Sequence, residues 1–226
     1  MNQKKRFKFT DLLIGLIFTL LFISIGVVIT INFRPLYYMD VNLLNIEADS
    51  GYSKADILNN YNTLIDYSSP FFKGDLKFPT LPASASGLEH FKEVKNIFTY
   101  FYILGAITLV PAIIIIVVKA KKKDISYLLV SSIMAVVVPL ILGIFMMINF
   151  DETFILFHKL VFHNNYWLFD PTTDPVITIL PDTFFMHCAI MIIFIVVLLS
   201  VIFFLIYNWK KRHIGIHNRK LKSLRL

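Results

Sequence analysis

FFMHCAIMIIFIVVLLSVIFFLIY, residues 184–207, decides the fold class: it is a run of 24 residues without a single Lys, Arg, Asp or Glu. Roughly 20 helical residues cross a hydrocarbon core of about 30 Å, so this run is long enough to span a bilayer. Three further apolar runs, at residues 12–31, 97–118 and 127–148, have comparable length. The chain as a whole is 57% hydrophobic, with a mean hydropathy of +0.69, well beyond an ordinary soluble domain. No alternation of polar and apolar residues marks barrel strands. The expected architecture is an all-α polytopic membrane protein: a single membrane domain over residues 1–226, with four transmembrane helices. An extracellular cap is expected from two outer segments, residues 32–95 and 149–182.

Charge sets the expected orientation. Lys4, Lys5, Arg6 and Lys8 precede the first run, and Lys119, Lys121, Lys122 and Lys123 separate the second from the third. Lys210, Lys211, Arg212, Arg219, Lys220, Lys222 and Arg225 follow the fourth. Fifteen of the 22 Lys and Arg residues thus share one face, which places both termini in the cytoplasm. The net charge of +7 is therefore a topology signal with some attraction for anionic lipid, and no nucleic-acid partner is implied. The first run is too long for the core of a secretory signal, and Thr30-Ile31-Asn32-Phe33-Arg34 lacks a small-residue cleavage site, so it is read as an uncleaved span. Cys188, the sole cysteine, cannot form an internal disulfide and reads as a small buried hydrophobe.

In the first outer segment, residues 53–65 read as a helix capped by Ser53, and Tyr37 to Leu43 read as an extended stretch. Ser86-Gly87-Leu88-Glu89 has capping-box spacing. A helix from Gly87 to Val118 would exceed the hydrocarbon thickness, so its first turns, with His90, project to the depth of lipid ester groups. In the second outer segment, Asp151 can cap a short interfacial helix over residues 152–164. Phe154, His158, Val161, Phe162 and Asn165 share one face of it, and His163 points about 140° away from His158. Tyr166 and Trp167 suit an interfacial belt, and Asp170-Pro171 and Asp174-Pro175 make turns.

The spans carry almost nothing ionisable, which argues against a pump or proton-coupled transporter. His213 and His217 fall in the basic tail, and His187 at the start of the last span reads as a structural hydrogen-bonding residue. His90 and His158 come from separate outer segments, each with an apolar face behind it. Partial burial keeps an imidazole neutral and available as a base, so the two are candidates for a joint acid–base site. Asn165, Tyr166, Trp167 and Asp170 are the candidates for substrate positioning. HExxH and Gly-x-Ser-x-Gly are absent, the single HxxxH (His213 and His217) falls in the basic tail, and His158 and His163 are five apart, so neither a metal, another cofactor nor a serine nucleophile is expected.

Four spans with a large first outer segment, His90 before the second span, and Phe157-His158 through Trp167, Asp170-Pro171, Asp174 and Pro181 resemble a bacterial membrane family, the lipoprotein intramolecular transacylases. The resemblance covers nearly the whole chain. It implies transfer of an acyl chain from the sn-2 ester of a lipoprotein's diacylglyceryl-cysteine to that cysteine's α-amino group. It also implies an enzyme of the bacterial plasma membrane with its site at the outer-leaflet interface, and a diacylated lipoprotein and membrane lipids as partners. Two outward-facing histidines are essential in the family, and His90 and His158 stand at the matching places. The alternatives are a lipid-ester hydrolase or another acyltransferase with the same histidines, and a non-catalytic membrane protein that binds lipids or lipoproteins.

The topology is tested with single cysteines in a Cys188→Ala background. Asn59→Cys and Thr172→Cys are expected to react with an impermeant thiol reagent in intact cells, and Lys122→Cys is expected to remain unlabelled. The opposite pattern would invert the chain in the membrane.

Overall fold

The computed structural model describes residues 9–223, and these are helical with no strand. Lys4, Lys5, Arg6, Lys8 and Arg225 lie outside the described residues, as do the side chains of His217, Arg219, Lys220 and Lys222. Four helices are long and apolar enough to cross a membrane: α1 (Phe9–Asn32), α5 (Ala85–Lys121), α6 (Ser126–Ile148) and α9 (Asp182–Ser223). The short helices α2 (Arg34–Leu43), α3 (Ile46–Ser50) and α4 (Lys54–Ser68) lie between α1 and α5. The remaining two, α7 (Phe150–Val161) and α8 (Val176–Ile179), lie between α6 and α9. Ile107, Val110, Phe194 and Leu205 on the long helices are exposed in the isolated chain, as a lipid-facing surface requires. The chain is an all-α polytopic membrane protein.

The chain divides into two compact units. One comprises the described residues up to Ile25, Leu104–Leu142, and those from Ile193 onward. Its core sets Phe18, Phe22 and Tyr127 beside Ala112, Ala135 and Val196, and Phe203 meets Phe18 and Phe22 edge-on at 5.1 and 5.0 Å. Lys119 pairs with Asp124 at 2.7 Å, and the other Asp124 oxygen accepts the Ser126 N–H, which starts α6.

The other unit comprises Gly26–Ile103 and Gly143–Ile192 and carries every candidate site residue. Its core is aromatic. Tyr37 stacks on Tyr61 at 3.7 Å, Phe184 packs edge-on against both, and the Tyr37 hydroxyl donates to the Ile179 carbonyl at 2.6 Å. Tyr37 lies on a helix, not the extended stretch expected from its β-forming residues. Pro35 sets the first turn of α2, and Tyr37, Asp40 and Val41 bury one helical face. Packing at helical spacing thus overrides local propensity. Buried Asp40 faces the His187 ring nitrogen at 2.9 Å, so this histidine closes α9 onto α2. Ser53 caps α4 as expected, its hydroxyl accepting the Asp56 N–H.

The start of α5 differs from the expected capping box. Ser84, not Ser86, accepts the Gly87 N–H on its hydroxyl and the Leu88 N–H on its carbonyl, both at 3.0 Å. The Ser84 N–H is satisfied by Asp174 Oδ1 at 2.8 Å, so an acid 90 residues away takes the place of the local glutamate. At Gly87 a Cβ would lie 2.3 Å from Asp174 Oδ1 and 3.0 Å from the Phe169 ring. Only glycine permits this approach. The helix α7 also ends sooner than expected, at Val161, and its cap is Asn149, whose side chain accepts the Glu152 N–H, rather than Asp151.

Gly87→Ala is therefore expected to destabilise the chain by about 1–3 kcal/mol, the usual cost of overpacking. It should lower the thermal unfolding midpoint of the detergent-purified protein, and an unchanged midpoint would show that Asp174 can move away freely.

Candidate functional site

His90 lies in the second turn of α5, where the Ser84 and Asp174 cap fixes the helix start. The residue is 5% exposed, and its ring is enclosed by Phe162, edge-on at 4.7 Å, and Phe169 at 5.5 Å. His158 lies near the end of α7 and is 8% exposed, beside Phe154 at 4.2 Å and Trp167 at 5.0 Å. The two imidazole centroids are 6.0 Å apart. Two segments distant in sequence thus bring both candidate catalytic histidines into one aromatic pocket. After Val161 the chain turns extended, and this places buried Phe162 against both rings at once.

The tautomer of His158 follows from its partner. Its Nδ1 lies 2.8 Å from the Phe154 carbonyl, which can only accept, so Nδ1 carries the hydrogen and the neutral ring keeps its lone pair on Nε2. Burial holds the His158 pKa below its ordinary 6.5, and this outweighs the opposite pulls of the Phe154 carbonyl and Asp182. His158 is therefore a neutral base at physiological pH.

Two polar residues outside the expected set complete the pocket. Glu93, one turn beyond His90, places Oε2 3.9 Å from His90 Nδ1, too far for a hydrogen bond. Its Oε1 accepts from Asn164 Nδ2 at 2.7 Å. Asn164 also accepts the Tyr166 N–H on its side chain at 2.9 Å and the Trp167 indole N–H on its carbonyl at 3.1 Å.

Among the expected positioning residues, only Trp167 lies against a histidine ring. Asn165 is exposed, and its carbonyl accepts the Leu168 N–H. Tyr166 is exposed beside it. Asp170 is exposed as well. Its carboxylate accepts the Thr172 N–H and hydroxyl, which hold it below the usual carboxylate range. The Asp170 carbonyl accepts the Asp174 N–H and so sets the turn that delivers Asp174 to α5. His163 is exposed and takes no part in the pocket. The i, i+3 spacing of His90 and Glu93 was the one signal for the glutamate, and helical phase pointed to Asn165 rather than Asn164 because the helix was expected to continue past Val161, where it ends.

Comparison with known proteins places these residues in context. The family model described as lipoprotein intramolecular transacylase Lit matches residues 12–185. The chain is similar to the in meso structure of the membrane-integral lipoprotein intramolecular transacylase Lit from Bacillus cereus. The TM-score is 0.88 and the identity 35%, over 92% of this chain and 98% of that one. Two further Bacillus cereus structures, with one histidine changed to arginine or to alanine, match at TM-scores of 0.82. Their identities are 35% and 34%, over 92% of this chain and 95% and 96% of theirs. No curated protein sequence matches this chain.

The His158 ring is expected to remain neutral at pH 6.5 and to take up its proton only in more acid solution. A nitrogen-15 imidazole titration with its midpoint at or above 6.5 would contradict the burial that sets this base.

Proposed function

Because the chain belongs to the lipoprotein intramolecular transacylase family, we propose that it moves the sn-2 acyl chain of a diacylglyceryl-cysteine to that cysteine's α-amino group. The product is an N-acyl, S-monoacylglyceryl lipoprotein. The observation that carries this reading is the pair of buried imidazoles, His90 and His158, 6.0 Å apart in aromatic surroundings.

The chemistry fits that pair. Amine and ester belong to one substrate molecule, so proximity comes with the substrate and no protein nucleophile is required. Neither imidazole is hydrogen-bonded to a serine or cysteine among the described residues. A new C–N bond forms and the sn-2 C–O bond breaks. The attacking ammonium gives up two protons: one passes to solvent, the other to the departing sn-2 oxygen. His158, with its lone pair on Nε2, serves as a base, and His90 shares the transfers. The aromatic walls exclude water, which strengthens polar interactions with the tetrahedral oxyanion and protects the ester from hydrolysis.

The proposed setting is the plasma membrane of a bacterium, with both termini cytoplasmic and the histidines at the outer-leaflet interface. The concentration of Lys and Arg in three segments that together flank all four spans on one side supports this orientation. The exposed apolar side chains of α7, Leu156, Phe157 and Leu160, suit an interfacial position. The partner is a diacylated lipoprotein, with Trp167 lining the pocket and Tyr166, Asn165 and Asp170 on the segment that approaches it.

His90→Ala and His158→Ala are each expected to lower N-acyl transfer by about 100-fold to 10,000-fold, the usual range for an acid–base group. The double variant should lose far less than the product of the two, since the pair acts as one unit. Mass spectrometry of a lipoprotein N-terminus in cells reads the result. A wild-type pattern in cells carrying only His158→Ala would remove the pair from the chemistry.

A further inference from the structure

Buried polar atoms in folded proteins almost always have a hydrogen-bond partner, and each exception calls for an explanation. Two exceptions face each other in this pocket. His90 Nδ1 and Glu93 Oε2 are both buried without a partner, and they lie 3.9 Å apart. They are too distant to bond one another, yet a single nitrogen could sit within about 2.8 Å of each, an ordinary charge-assisted hydrogen-bond length. Glu93 is not free to turn away, because Asn164 grips its other oxygen at 2.7 Å. Asn164 is in turn held by the Tyr166 N–H and the Trp167 indole.

The chemistry of the two atoms defines what fits between them. A carboxylate oxygen only accepts, and a neutral imidazole Nδ1 can accept when its hydrogen is on Nε2. In that tautomer the occupant donates at least two hydrogen bonds, and a carboxylate oxygen shielded from water favours a positive charge. We propose that Glu93 Oε2 and His90 Nδ1 form a subsite for a primary ammonium, the free α-amino terminus of the lipidated cysteine. Asn164 positions the carboxylate. The proposal rests on the transacylase reading and specifies how that reaction recognises its nucleophile. An ammonium N–H bond breaks towards His90 Nδ1, and the electron pair left on nitrogen attacks the ester carbonyl. After transfer the nitrogen is an amide with one hydrogen and no charge. It can no longer satisfy both acceptors, so the subsite releases its product and rejects lipoproteins already N-acylated.

The test measures binding rather than turnover. The probe is a dialkylglyceryl-cysteinyl peptide with ether linkages in place of both esters, which cannot react, prepared with a free or an acetylated α-amine and presented in detergent micelles. Wild-type protein is expected to bind the free-amine form about 10-fold or more tighter, as for a hydrogen bond to a charged group. Glu93→Gln should lose most of that preference while binding the acetylated form as wild type does. Asn164→Ala, which keeps the carboxylate but removes its anchor, should reduce the preference in the same direction. Absence of preference in the wild type, full preference in Glu93→Gln, or equal weakening of both probes in that variant would each overturn the subsite. If Glu93→Gln does not fold, an unchanged preference in Asn164→Ala overturns it. Failure of wild-type protein to form the N-acyl product from the ester substrate would sink the reaction instead, whatever the probes show.

Discussion

One hydrogen bond, from Asn164 Nδ2 to Glu93 Oε1, ties the helix that carries His90 to the loop that follows His158. It joins residues 71 apart in sequence. Without such a tie close to the two rings, their relative placement would depend there on apolar packing, which is non-directional. A directional bond to a charged group is stronger and fixes geometry as well as distance. Asn164 also gathers the Tyr166 backbone and the Trp167 indole, so the loop, the aromatic wall and the carboxylate move as one piece. Asp174 plays a matching part at the head of α5, where its carboxylate holds the Ser84 N–H and the missing side chain of Gly87 lets it come close. Supports of this kind orient reactive groups that do not themselves touch them.

The aromatic lining gives the two histidines their chemical character. Phe154, Phe162, Phe169 and Trp167 offer little to solvate an imidazolium, so the neutral rings are favoured. The same lining makes any charge that develops between the rings sensitive to the few dipoles nearby, because field strength rises as water is excluded. Glu93 is the one carboxylate that reaches the pair from the adjoining helical turn. The pocket thus combines a poor solvent with a well-placed negative group beside His90.

Much of this was legible in the sequence, for definite physical reasons. A run such as residues 184–207 has no alternative to a buried or lipid-facing helix, so the four spans follow from composition. His90 and His158 stood out because an imidazole against an apolar face is chemically conspicuous. Features that depend on distant partners were hidden. Tyr37 and Val41 favour strands locally, and only the stack on Tyr61 and the bond to Ile179 show why that stretch winds into a helix. Ser86 had the better local capping pattern, but Ser84 had Asp174. Between the adjacent Asn164 and Asn165, the choice is made by a carboxylate in another segment, which no local spacing can reveal.

The helix α7 buries His158 on one side and exposes Leu156, Phe157 and Leu160 on the other. Under the proposed placement, a catalyst built on such a helix meets its substrate by lateral diffusion within the bilayer, in two dimensions. The quantity that drives its rate is then the mole fraction of lipoprotein among the surrounding lipids, not its concentration in the bulk solution. Added detergent would slow turnover by surface dilution with every residue of the pocket intact.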